Sequence, residues 1–282
     1  TRLGGLQIDV GRPKAAVRYC QEAYDAARSR ISYARPEWPA FLIYLSNAVA
    51  CGRQLGAAYF RLGDYRTALW YFNKALGLVE DFEAKGRGHL EIAHQSAVLE
   101  RHLGDFYLDT HDPNRAMKQY AKGLAIARRL VPSDPHNTEY LTALGEILLR
   151  IGNLKVRGHD IPNVFIALHG AFGIARNLHR KASGEVEASL LLSAICLAMA
   201  SCAERAEKTG LAGAYFRKAL QACKGMRQSV PWHVPAAIQM ARVYCKTGQW
   251  HQRAGRMAQA QSNYQTGWTL IETKKKRQTP LL

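Results

Sequence analysis

Apolar residues recur at spacings of three and four along most of this 282-residue chain. That is the period of a helix with one buried face. The stretch LGAAYFRLGDYRTALWYFNKAL, residues 55–76, shows the unit most clearly. Leu55, Tyr59 and Leu62 share one helix face. Gly63-Asp64 then interrupts the pattern, since Gly tolerates the left-handed backbone that ends a helix and Asp caps the next one. Ala68, Phe72 and Ala75 resume helical spacing. Gly56 and Ala68 are small enough for two helices to cross closely, with Tyr59 and Phe72 filling the space beside the contact. The pattern predicts an antiparallel helix pair with a short turn.

One such pair cannot bury its own apolar faces, so copies are expected. Leu103-Gly104 with Tyr107 repeats Leu55-Gly56 with Tyr59 at a separation of 48 residues, and Ala116 and Tyr120 repeat Ala68 and Phe72. Farther on, Met199-Ala200 with Ala212, Phe216 and Ala219 keeps the same phase. Two copies look displaced. Leu144-Gly145 opens one whose second helix, at Val164, Leu168 and Ala171, comes seven residues late, so Asn153 to Asn163 reads as a long connection. Met240-Ala241 with Tyr244 opens the other, followed by TGQWHQRAGR and then Ala260, Tyr264 and Gly267. The chain begins inside a truncated copy with Leu3-Gly4, Gly11, Ala16, Cys20 and Ala23. Copies are placed near 1–35, 41–84, 90–131, 136–180, 186–228 and 234–273, leaving 274–282 as a basic tail. About twelve helices are predicted, most longer than the ~11–12-residue mean, and no sheet.

The chain resembles the tetratricopeptide repeat family. Leu55, Gly56, Tyr59, Ala68, Phe72 and Ala75 match the family pattern, and Leu103, Gly104, Tyr107, Ala116 and Tyr120 match it nearly as well, with Gly123 in the last small position. The departure is the period, 48 residues here against about 34 in the usual repeat. The resemblance implies an all-α, right-handed superhelical solenoid of antiparallel hairpins, five to six repeats long. Long-period arrays of this kind often sit beside kinase, protease or nucleotide-binding modules.

Composition narrows the reading further. Hydrophobic residues make up 48%, ample for a stack of small cores. The six cysteines form no Cys-x-x-Cys, and most fall on apolar faces. They read as buried thiols suited to the cytoplasm or another reducing compartment. His89 and His94 are close in sequence, but no ligand spacing completes a metal site. The run ASLLLSAICLAMASCA, Ala188 to Ala203, is shorter than the ~20 residues of a membrane span and reads as a buried helix. No signal peptide is visible, and Thr1 is not an initiator, so the sequence reads as a piece of a longer or processed chain.

Charge is the unusual quantity. Thirty-nine Lys and Arg against 22 acids give a formal +17, a field that favours anionic partners. The run Lys274 to Arg277 reads as a solvated tail, and the rest is diffuse. No Gly-rich phosphate loop, Gly-x-Ser-x-Gly or His-Glu-x-x-His is present. Glu185 and Glu187 read as a helix start, and DPNRA, Asp112 to Ala116, as a capped turn with Pro113 in the first helical turn. Catalytic residues, cofactors and a metal site are therefore not expected.

What remains is a surface. The resemblance implies that the first helix of each hairpin lines a concave groove. Projected from the Leu-Gly phase, the groove carries Arg53, Phe60 and Arg61, then Arg101 and Leu108, then Glu146 and Arg150, then Arg205 and Arg242. The family's carboxylate clamp is not expected, because Ala57 stands where its Asn is needed and Asp105 adds negative charge. The reading is a non-enzymatic interaction module or scaffold that binds an acidic protein or peptide segment. One alternative is a regulatory or sensor arm of a larger enzyme. Another is a helical-repeat nucleic-acid binder, supported by charge alone and lacking a regular pair of base-reading residues per repeat.

Overall fold

A computed structural model of the chain describes residues 13–35, 37–86, 88–157, 161–181, 186–229 and 234–278. Among them lie eleven helices and no strand: α1 (Pro13–Tyr33), α2 (Pro39–Arg61), α3 (Tyr65–Ala84), α4 (Leu90–Asp109), α5 (Pro113–Ser133), α6 (Thr138–Arg157), α7 (Ile161–Lys181), α8 (Val186–Arg205), α9 (Thr209–Ser229), α10 (Val234–Arg253) and α11 (Met257–Gln278). Each has 20 to 23 residues. The chain forms two compact units, residues 1–147 and 148–282, with the division inside α6.

In the first unit α1 pairs with α2, α2 with α3 and α4 with α5. Leu45, Val49, Phe72, Val79, Leu99, Leu103 and Phe106 form a shared core. The turns follow the expected chemistry. Gly63 has φ +82°, and the Asp64 side chain accepts a hydrogen bond from Thr67 N at 3.0 Å. In the next hairpin His111, at φ +65°, takes the place of Gly63. Asp112 accepts from Arg115 N at 2.9 Å, and Pro113 opens α5. In the second unit Glu207 (φ +58°) and Gly255 (φ +71°) hold the same left-handed place.

The helix crossings set the period. A Cβ built on Gly56 would come within 2.5 Å of the Phe72 ring, and one built on Gly104 would overlap Tyr120. In the second unit, Gly152 faces Leu168 and Gly248 faces Tyr264 in the same way. Ala200 holds this position between Gly152 and Gly248. These five crossing residues are each 48 apart. The structure departs from the expected register in two hairpins. The copies expected to open at Leu144-Gly145 and Met240-Ala241 open instead at Ile151-Gly152 and Thr247-Gly248. The expected long connection at 153–163 is a continuation of α6 through Arg157, with α7 beginning at Ile161. Likewise TGQWHQRAGR is mostly the last turns of α10. The truncated copy at Leu3-Gly4 and Gly11 lies outside the described residues.

By length and composition α8 could cross a membrane, but 72% of its apolar window is buried within the fold. Ile195, Met199 and Ala200 are fully covered. The six cysteines are free, and all but the half-buried Cys245 are buried. Burial pushes the thiols of Cys196 and Cys223 up to about 12 and that of Cys20 to about 11, so they stay protonated and behave as small core groups.

Candidate functional site

In the first unit the first helices of successive hairpins, α2, α4 and the start of α6, are joined by a line of polar contacts. Arg53 Nη1 on α2 lies 3.2 Å from His102 Nε2 on α4. Arg101 Nη2 reaches the same nitrogen at 3.1 Å. A guanidinium only donates, so Nε2 accepts, and the ring carries its proton on Nδ1 as a neutral imidazole. Arg101 also pairs with Asp105 Oδ2 at 3.2 Å. Its Nε lies 3.1 Å from Glu146 Oε2 on α6, an ion pair whose angle falls short of a hydrogen bond. The other Asp105 oxygen accepts from Tyr120 Oη at 2.7 Å.

The two arginines therefore differ. Arg101 is buried and neutralised by two carboxylates. Arg53 leans on a neutral ring. Burial, and then Arg101, push its guanidinium down to about 10, which still leaves it charged at neutral pH. Beside this line stands an aromatic shoulder. Phe60 lies 5.6 Å from Phe106 and 5.5 Å from Tyr65, and Tyr65 is exposed. Leu108 is half-buried and Arg61 exposed.

In the second unit Arg150 is half-buried, while Arg205 and Arg242 are exposed. The corrected register regroups these residues. Arg61, Arg205 and Arg253 share one repeat position, five residues after the crossing residue, at the last turn of α2, α8 and α10. Arg242, in contrast, lies six residues before its crossing residue. Arg253 pairs with Glu204 at 3.2 Å. Sequence reasoning missed Arg253 because it started that copy seven residues early.

It also missed a grouping near the starts of α4 and α6. Glu91, His94 and Glu139 each place a donor atom within 4.8 Å of the other two. Glu91 and Glu139 stand 48 residues apart, a signal present in the sequence. These three are the described residues that could hold a metal ion.

The crossing glycines, the capped three-residue turns and the small residues at Ala68, Ala116 and Ala212 define a tetratricopeptide-like helical repeat fold. No protein-family model matches the chain, and no curated protein matches its sequence. Solved structures do match. BtubC (BKLC) from P. vanneervenii is 14% identical with a TM-score of 0.68, over 93% of this chain and 92% of that one. The apo form of RapI is 14% identical with a TM-score of 0.55, over 97% and 96%. At these identities the likeness concerns the fold.

Proposed function

We propose that the chain is a non-enzymatic interaction module that binds an acidic, partly apolar protein segment along its first helices. The carrying observation is the pair of basic side chains at one repeat position, Arg61 and Arg205, with Arg253 at the same position engaged by Glu204, together with Arg53 and the aromatic shoulder of Phe60 and Tyr65 in the first unit. Arginine holds carboxylates with paired, charge-assisted hydrogen bonds, and the aromatic rings offer apolar contact at low entropic cost. Arg101 and Glu146 act in this reading as internal bracing, since each already pairs with the other. In this reading Leu108 adds apolar surface in the first unit, and Arg150 and Arg242 add basic side chains in the second. Arginine in the last turn of a helix also complements the helix dipole. That account applies to each of the three helix ends, and Asp109 holds the same position at the end of α4, so the binding measurement decides between the two.

The test is binding of labelled acidic-aromatic peptides, measured by fluorescence anisotropy. Arg61→Glu combined with Arg53→Gln should weaken binding at least tenfold. Reversal of Lys274, Lys275 and Lys276 should leave it unchanged. Equal loss from both sets, with steep salt dependence and tighter retention of single-stranded nucleic acid, would reject this reading in favour of an electrostatic nucleic-acid binder.

A further inference from the structure

We propose that Glu91, His94 and Glu139 form a binding site for a divalent transition-metal ion of the zinc class. The two carboxylates alone have an ordinary explanation. Each lies in the first turn of its helix, where negative charge complements the helix dipole. His94 does not share that explanation. It is 8% exposed, and its Nδ1 is buried without a hydrogen-bond partner. That nitrogen lies 3.9 Å from Glu139 Oε2, too far for a hydrogen bond.

The preceding repeat shows what a closed contact looks like here. Ser46 stands 48 residues before His94, and Glu91 stands 48 before Glu139. There Ser46 Oγ donates directly to Glu91 Oε1 at 3.2 Å. With His in the Ser position the donor–acceptor gap stays open. A gap of this size suits a bridging ion. Zinc bonds of about 2.0–2.1 Å place neighbouring ligand atoms roughly 3.3 Å apart, so a modest side-chain movement closes the set.

An ion pair is the competing account, and it needs a protonated imidazole. Burial holds the His94 pKa below its ordinary 6.5, against the opposite pull of Glu91 and Glu139 and with a small added push from Arg53. The neutral ring is the form that ligates a metal, and the 3.9 Å separation of Nδ1 from Glu139 Oε2 is longer than a closed, hydrogen-bonded ion pair. A neutral imidazole with two carboxylates carries two negative charges, matching a divalent ion. A mixed nitrogen and oxygen donor set favours zinc, nickel or cobalt over magnesium or calcium.

The surroundings fix the ligands. Glu91 Oε1 is held by Ser46 and by Gln95 Nε2 at 2.9 Å, which leaves its second oxygen for the ion and sets the carboxylate's orientation. The Tyr140 ring packs 5.4 Å from the His94 ring. Glu139, with its side chain 71% exposed, gives a path to solvent, and water completes the coordination. The bound ion would join the first turns of α4 and α6.

The full chain, stripped with chelator, is titrated with Zn²⁺ in competition with a chromophoric chelator. One tight equivalent is expected, with matching Co²⁺ absorption in the visible range. Glu139→Gln and His94→Gln should each weaken binding at least tenfold, and Ser46→Ala, which loosens only a positioning contact, should weaken it less. Because Glu139 is exposed, Glu139→Gln remains informative even if the His94 variant unfolds. Absence of stoichiometric zinc binding, or binding unchanged in Glu139→Gln, would overturn the site.

Discussion

Gly104 and Gly173 are both helical glycines in opposite surroundings. A Cβ on Gly104 overlaps the Tyr120 ring, whereas one on Gly173 meets nothing within 4 Å. Tyr120 is fully buried, and its hydroxyl is held by Asp105, so the ring has little room to retreat. Overpacking of this kind costs ~1–3 kcal/mol, more than the ~1 kcal/mol that alanine gains over glycine in a helix. Gly104→Ala should therefore destabilise. Gly173→Ala should stabilise by roughly 0.5–1 kcal/mol, since only the helix preference remains. Gly248→Ala should cost less than Gly104→Ala, because its Cβ would meet the Tyr264 ring at 2.8 Å, a milder overlap, and Tyr264 is half-buried with its hydroxyl held only by an exposed contact to Gln252. Chemical denaturation of the three variants checks the ordering. Equal midpoints for Gly104→Ala and Gly173→Ala would show that the crossings are not tightly packed.

At the scale of the element, the hairpin turns carry a separable contribution. Asp112 caps α5 through Arg115 N and also pairs with the Arg115 side chain at 3.2 Å. The pair is exposed, so its worth is small, and the cap should dominate. Asp112→Ala should lose ~1 kcal/mol, while Asp112→Asn, which retains a capping oxygen, should lose little. Matching losses in the two variants would instead assign the effect to charge. These caps were legible in the sequence, because Asp and Gly act locally. The register of two hairpins was not. Leu144-Gly145 and Ile151-Gly152 are seven residues apart, close to two helical turns, so both pairs fall on nearly the same face and local pattern cannot choose between them. Adding the period to Gly104 does choose, and it selects Gly152. The site was legible in part. Arg53 and Arg101 were visible as a repeated basic position, but their pairing with His102, Asp105 and Glu146 depends on how adjacent hairpins stack. His94 stayed hidden because its carboxylates come from two helices, one of them 45 residues away.

At the scale of the whole molecule, charge and two histidines, the buried His94 and the half-buried His251, act together on acidification. The chain carries a formal +17 at pH 7 with its ten histidines neutral, so each proton gained adds to self-repulsion in the compact state. Burial holds His94 below its ordinary pKa, and burial with Arg256 does the same for His251. For a base whose folded pKa is depressed, the unfolded chain binds more protons between the two values, so stability rises with pH across that window. This contribution is full above about 6.5 and is lost as pH falls toward the folded values. Glu100 works in the opposite sense. Burial raises its carboxyl above the ordinary 4.5, with Lys122 pulling it back, so protonation favours the folded state as pH nears its raised value. Two histidines and the overall repulsion oppose one carboxyl, so the metal-free melting temperature should fall from pH 7 to pH 5. Salt separates the causes, since it screens repulsion between exposed charges while leaving the burial penalty of His94 largely in place. In 0.5 M salt, where the screening length is roughly half its physiological value, the wild-type decline should shrink but persist. His94→Gln should then lose less between the two pH values than wild type does. If its decline equals the wild-type decline in high salt, the buried imidazole contributes nothing to acid sensitivity, and the loss belongs to net charge alone.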